Sequence, residues 1–199
     1  MLHEIVIPGH GRPYVEGDNV DYGAPLAITV PDVMSGAECA ALIERIEELG
    51  PADAPVTTAR GFVMMPDVRN NQRVMFDDPG LARALYERIE AVLPPTVCGM
   101  TKAGVNERFR RYRYAAQQRF APHLDGAFKR NASECSQLTF MVYLNEGFEG
   151  GQTAFLDWER AIVPRTGHAL LFQHRLVHEG CPVRSGLKYV LRTDVMYRQ

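Results

Sequence analysis

Helical periodicity dominates the first half of the chain and two-residue alternation the second. Ser35-Gly36-Ala37-Glu38 places serine at a cap position and glutamate three residues later, the pattern of a capping box. Leu42, Ile43, Ile46 and Leu49 follow at helical spacing, and Gly50-Pro51 stops the run. This predicts an amphipathic helix over Ala37 to Leu49, laid on a sheet. Asp78-Pro79 opens a second helix, with aspartate as cap and proline in the first turn. Leu81, Leu85, Ile89 and Leu93 give it one apolar face, and Pro94-Pro95 ends it. Residues 1 to 25 are rich in Gly, Pro and polar residues and suit an irregular arm or a short edge strand; Leu26 to Val30 suits a strand. Pro51 to Asp78 has no clean period, and Asn70 and Asn71 favour turns there.

From about Glu107 the pattern is that of strands. Tyr112 and Tyr114 share a face. Leu138, Phe140, Val142 and Leu144 alternate with Met141 and Tyr143, so the strand from Gln137 to Asn145 is apolar on both sides and should be covered on both. Gln152 to Leu156, Ala161 to Val163, Ala169 to Gln173 and Tyr189 to Tyr197 are further strand candidates. Many short strands with Gly/Pro punctuation point to a sandwich or closed barrel. The fold class is α+β, mainly β.

The chain has 199 residues and a net charge of −2. That length suits a single domain, 1–199, with an N-terminal arm, helices and loop over 1–100 and a strand-rich half over 101–199. The charge gives no global field for nucleic acid or an anionic membrane, and neither is expected as a partner. Arg108, Arg110, Arg111, Arg113 and Arg119 form a local basic cluster, read as solvent-facing strand positions. Cys39, Cys98, Cys135 and Cys181 are widely spread, without a CxxC pair, which suits a reduced cytoplasmic protein. Met1 to Pro8 has no signal-peptide pattern, and no apolar run approaches the ~20 residues of a membrane helix. Oligomeric state is not legible.

The chemistry centres on His123-Leu124-Asp125 and a distant His178. Two histidines and one carboxylate are the ligand types of a facial triad, which holds non-haem Fe(II) and leaves positions open. His174 is a rival for the third ligand; it and His168 are assigned structural or supporting roles. Lys188, Val190 and Arg192 point to one face of the last strand. A cation on an inward face is costly unless paired.

Around these residues stand Tyr114, nine before His123, and Pro122. Gly150-Gly151-Gln152-Thr153-Ala154-Phe155, Pro164 to Phe172, His178-Glu179-Gly180-Cys181-Pro182-Val183, Gly186 and Lys188 complete the pattern. Over Arg108 to Arg198 it resembles the Fe(II)- and 2-oxoglutarate-dependent oxygenases, within them the prolyl-4-hydroxylase-like group. The resemblance implies a double-stranded β-helix (jelly-roll) core braced by the N-terminal helices. It implies Fe(II) on His123, Asp125 and His178, with 2-oxoglutarate and O2 as cosubstrates. Lys188, or alternatively Arg192, would hold the far carboxylate of 2-oxoglutarate, Tyr114 would hydrogen-bond it, and Thr153 would line the same pocket. The reaction implied is hydroxylation of an aliphatic C–H bond, of a prolyl residue or another amino-acid-like substrate, with release of succinate and CO2. Asp125 fits hydroxylation, since related halogenases replace this carboxylate with a small residue. The substrate would be a protein, a peptide or a small molecule.

Two departures stand out. Ser136 occupies a position where prolyl hydroxylases usually carry a peptide-holding arginine, and Tyr189 replaces a frequent tryptophan. Arg130, or Arg69 and Arg73 on the earlier loop, are candidate substitutes for that arginine, with Trp158 and Phe128 as candidate apolar walls. In this family the 52–78 region often forms a loop over the site. The competing readings are a non-catalytic jelly-roll metal-binding or sensor domain and a cupin-type metalloenzyme that does not use 2-oxoglutarate.

Overall fold

The computed structural model describes residues 2–58 and 61–199; positions 59 and 60 of the 52–78 stretch lie outside the described residues. The N-terminal part runs β1 (Glu4–Ile7), β2 (Ala27–Val30), α1 (Gly36–Leu49), β3 (Ala52–Asp53), β4 (Val56–Thr58), β5 (Gly61–Val63), β6 (Gln72–Asp77) and α2 (Pro79–Ile89). A short 3-10 turn, Glu90–Val92, then leads to β7 (Thr96–Val97), β8 (Met100–Val105) and β9 (Arg108–Tyr114). The strands of the second half are β10 (Phe120–His123), β11 (Glu134–Tyr143), β12 (Glu149–Gly150), β13 (Thr153–Phe155) and β14 (Arg160–Ile162). After them come β15 (Ala169–Gln173), β16 (His178–Gly180), β17 (Val183–Ser185) and β18 (Lys188–Arg198).

Both helices form where the sequence directs them. Ser35 accepts from the Glu38 backbone, and Glu38 accepts back from the Ser35 backbone, closing the capping box. Gly50 ends α1 in the left-handed region. Asp78 caps α2 by accepting from the Leu81 N–H. Ile46 of α1 and Leu85 and Ile89 of α2 are fully buried against the major sheet.

The described residues form a ten-stranded major sheet in the order β1-β2-β15-β11-β18-β9-β6-β3, with β8 on the far half of β18 and β7 on β8. A four-stranded minor sheet runs β10-β16-β13-β14. All pairings are antiparallel. The strand β11 is covered on both sides, as its alternation requires. Leu138, Phe140 and Val142 join the helix-side core, whereas Tyr143 joins a second core with Phe155 and Val183 between the sheets. The fold is therefore mainly β, a jelly roll with two helices bracing the outer face of its major sheet.

The structure departs from the expected loop over Pro51 to Asp78. Gln72–Asp77 is strand β6 and pairs with β9 along its length. Its residues are intermediate or exposed and none is buried, so apolar alternation is missing although the backbone pairing is complete. The arginines of β9 are also not uniformly solvent-facing. Arg111 is buried over the Phe76 ring, 3.6 Å from its centroid, and Arg113 donates to Glu47 and Gln72. No helix of the described residues is long and apolar enough to cross a membrane.

Candidate metal centre and pocket

Pairing of β10 with β16 sets His123 directly opposite His178, although 55 positions separate them in sequence. Asp125 follows at the turn after β10, where its N–H donates to the His174 carbonyl. One ligand atom from each of His123, Asp125 and His178 lies within 4.8 Å of the other two. Two imidazoles and a carboxylate so arranged could hold a divalent ion.

The tautomers favour that use. Nδ1 of His123 lies 2.8 Å from the Ala121 carbonyl and Nδ1 of His178 lies 2.9 Å from the Leu176 carbonyl. A carbonyl only accepts, so each Nδ1 carries the hydrogen and each Nε2 keeps its lone pair. Nε2 of His123 and of His178 stand 3.7 and 3.6 Å from the Asp125 carboxylate, beyond hydrogen-bond length. Burial, and then the neighbouring His178, lowers His123 to about 4, and burial also lowers His178. Both rings are neutral near pH 7. Burial alone would raise Asp125, but Arg192 and then the two histidines outweigh it and hold the carboxyl well below the usual range. The set is two neutral nitrogen donors and one anionic oxygen, which fits a facial triad.

Asp125 is held from behind by a directional chain. Thr139 donates to its Oδ2 at 2.6 Å. His174 Nδ1 lies 3.0 Å from the Thr139 hydroxyl and its Nε2 lies 2.8 Å from the Ser136 hydroxyl. With the Thr139 hydrogen committed to Asp125, His174 donates through Nδ1 and accepts from Ser136. Arg192 closes the other side, its Nη2 at 3.0 Å from Asp125 Oδ2. Thr139 was missed in the sequence, although its place on the Met141 and Tyr143 face of β11 was the available signal.

Beside the triad a pocket opens between the sheets, lined by Tyr114, Thr153, Lys188 and Arg192 among others. Tyr114 stands opposite Lys188 in the pairing of β9 with β18. Lys188 is buried; its Nζ donates to the Gly151 carbonyl at 2.6 Å and lies 5.2 and 5.6 Å from the Tyr114 and Tyr143 ring centroids. Burial lowers Lys188 to about 8. No carboxylate pairs with it among the described residues, so a buried ammonium faces two rings and one carbonyl. Tyr143 donates its hydroxyl to Thr153 at 2.8 Å, which leaves the Thr153 hydrogen to point elsewhere.

The remaining candidates scatter. Arg69 lies buried against Tyr112 and Phe120, both of which line the pocket, and Arg73 is half-buried on β6. Arg130 pairs with Glu107 and Glu134 instead. Trp158 packs near the His10 ring, and Phe128 donates its backbone N–H to Ser136; neither lines the pocket. His168 is half-buried near the Thr166 carbonyl.

Residues 108–193 match the sequence model of the 2OG-Fe(II) oxygenase superfamily. The chain is 28% identical over 201 aligned positions to prolyl 4-hydroxylase subunit alpha-2 of Gallus gallus, covering 89% of this chain. It spans about a third of that relative's length, 35%. Among solved structures, a viral collagen prolyl hydroxylase from Paramecium Bursaria Chlorella virus-1, in its 2OG complex, superposes with a TM-score of 0.61 at 22% identity. That match covers 87% of this chain and 97% of that one. A prolyl hydroxylase from Trichoplax adhaerens, in complex with a peptide fragment of hypoxia inducible factor, gives 0.63 at 15% identity, over 85% and 82%. A prolyl-4-hydroxylase from Pseudomonas putida gives 0.59 at 19%, over 87% and 92%. The expected likeness to the prolyl-hydroxylase-like oxygenases and the jelly-roll fold are borne out, and the cofactors of that superfamily are Fe(II) and 2-oxoglutarate.

Proposed function

We propose that this chain, as one catalytic domain, is a 2-oxoglutarate-dependent dioxygenase that hydroxylates an aliphatic C–H bond of an amino-acid-like substrate, with release of succinate and CO2. A prolyl residue is one candidate substrate. The carrying observation is that one pocket joins two features: the His123, Asp125 and His178 donor set, and the buried Lys188 with no carboxylate partner among the described residues.

His123 and His178 would hold Fe(II) through Nε2 and Asp125 through its carboxylate. Fe(II), with 2-oxoglutarate and O2, supplies the oxidation that splits the cosubstrate and delivers oxygen to the substrate. The chain's own residues orient the partners and shield them. Lys188 offers a cation in a water-poor site, where a charge-assisted contact to a carboxylate is strong. Thr153 has a hydroxyl hydrogen free to donate, because Tyr143 already donates to its oxygen. Tyr114, across from Lys188, closes the same end. Met141 and Val190 give the pocket apolar walls.

Arg192 is suited to a different task. It stands four residues from Lys188 on the same strand face, roughly 13 Å along the strand, and its Nη2 is 3.0 Å from Asp125. That is too near the metal end for the far carboxylate of a five-carbon diacid. Lys188 therefore takes that carboxylate, and Arg192 holds Asp125.

The test is anaerobic addition of Fe(II) and then 2-oxoglutarate to the protein, read by visible absorption. A charge-transfer band appears on adding 2-oxoglutarate and is lost in Lys188→Ala at the same concentration. Under air, succinate forms. Fe(II) binding with neither band nor succinate would defeat the proposal.

A further inference from the structure

Four guanidinium groups gather around the Tyr112 ring near the metal end of the pocket. Arg192 lines the pocket itself. Arg69 is buried, with its Cζ 4.5 Å from the ring centroids of both Tyr112 and Phe120. Arg73 stands opposite Tyr112 in the pairing of β6 with β9, and Arg110 is two residues from Tyr112 on the same strand face. The charges of all four act on Tyr112, and Arg69 and Arg192 act on each other.

Among the described residues, two carboxylates answer these four cations. Asp125 meets Arg192 at 3.0 Å and belongs to the donor set. Asp194 meets Arg110 at 3.4 Å and Arg192 at 3.5 Å. Neither Arg69 nor Arg73 has a carboxylate partner among the described residues; Arg69 Nε donates to Asn71, and Arg73 lies over the Phe62 ring. Within this cluster two buried nitrogens have no acceptor among the described residues, Nη2 of Arg69 and Nε of Arg192. The Tyr112 ring eases the burial of these guanidiniums and its hydroxyl interacts with both Arg69 and Arg192, but that one oxygen does not fill the two remaining N–H groups. An anion with paired oxygens does, because it matches the planar fork of arginine.

We infer that this cluster recognises a carboxylate carried by the substrate, so the substrate is a free amino-acid-like acid and not an internal residue of a peptide. The inference rests on the reaction proposed above. In that reaction both acid ends of 2-oxoglutarate already have places, one at the donor set and one at Lys188. An internal peptide residue brings no charge to two unfilled guanidinium donors, whereas a free acid does.

The test uses the full chain loaded with Zn(II) and 2-oxoglutarate, with saturation-transfer NMR as the readout, so no turnover is needed. Two mixtures are compared: the common L-amino acids, and the same set as carboxamides. At least one free acid gives a signal that its amide does not give at the same concentration, and 2-oxoglutarate gives a signal throughout. Arg69→Gln weakens that acid by about tenfold or more, and changes 2-oxoglutarate by less than about twofold. Binding of neither mixture, or equal binding of acids and amides, overturns the inference. So does an Arg69→Gln protein that loses 2-oxoglutarate and keeps the acid, which would assign the guanidiniums to the cosubstrate. Should Arg69→Gln fail to fold, the acid-against-amide comparison on the unsubstituted chain decides. If the unsubstituted chain takes a free acid but no 2-oxoglutarate, the carboxylate site stands and the proposed reaction falls.

Discussion

Arg192 and Asp125 form an ion pair at 3.0 Å in which both side chains are nearly excluded from solvent. Each offsets the burial of the other, and Asp125 is also the anionic member of the donor set. Asp125→Ala should therefore have two effects. It should abolish product formation. It should also destabilise the metal-free protein by about 3–5 kcal/mol, because Arg192 keeps its charge and loses its main counterion. Chemical denaturation of both metal-free proteins measures the second effect. Unchanged stability would mean that the pair is not formed in solution.

Thr139→Val removes the 2.6 Å hydrogen bond to Asp125 and breaks the chain to His174 and Ser136 at nearly constant volume. Metal affinity should fall by about tenfold or more, as is usual when a group orienting a ligand is lost. Titration with Fe(II) or Zn(II) reads this directly. Thr139→Ser keeps the hydroxyl and should restore most of the affinity.

Lys188 gives a pH dependence of defined sign. Burial lowers its pKa from 10.5 to about 8 in the folded chain. Between those values the unfolded chain binds more protons than the folded one, so stability of the protein without cosubstrate rises as pH rises through that window. Affinity for 2-oxoglutarate runs the other way and falls above about pH 8, where the ammonium is lost. Lys188→Ala should raise the 2-oxoglutarate requirement by about thirtyfold or more and flatten both trends. Thermal melts and cosubstrate titrations across pH check the pair of predictions.

Gly167→Ala tests the scaffold apart from the pocket. Gly167 has φ +77, and an added Cβ would lie 2.0 Å from the Met34 carbonyl oxygen. Its own carbonyl accepts from the N–H groups of Val33 and Met34. The substitution should cost more than about 2 kcal/mol, from backbone strain and overlap together. The folded fraction should keep its affinity for metal and for 2-oxoglutarate.

Much of this arrangement is legible in the amino-acid sequence. The two helices carry their own caps, and β11 announces a two-sided burial through Leu138, Phe140 and Val142 against Met141 and Tyr143. The His-x-Asp pair and the later His178 are close in space for a reason the spacing only hints at, namely the register of β10 on β16. Strand β6 stayed hidden because its partner supplies backbone hydrogen bonds without demanding apolar alternation. Thr139 stayed hidden because a threonine in a strand is ordinary until the carboxylate it faces is known. Arg192 could be placed on the inward face with Lys188, but not beside Asp125, since the path of the 125 turn depends on a long-range bond to the His174 carbonyl.

Strand β18 carries Lys188 and Arg192 and is clamped by β9 on one edge and β11 on the other. It acts as a ruler with fixed graduations. Side chains return to the same face only every second residue, so the gap between the two cations can change only in steps of roughly 7 Å. A slip of one residue would turn both away from the pocket at once. With Lys188 in its proposed role, cosubstrate length and the counterion of Asp125 are coupled through one strand. Divergent relatives built on this strand could change either property by replacing a side chain, but not by sliding the backbone.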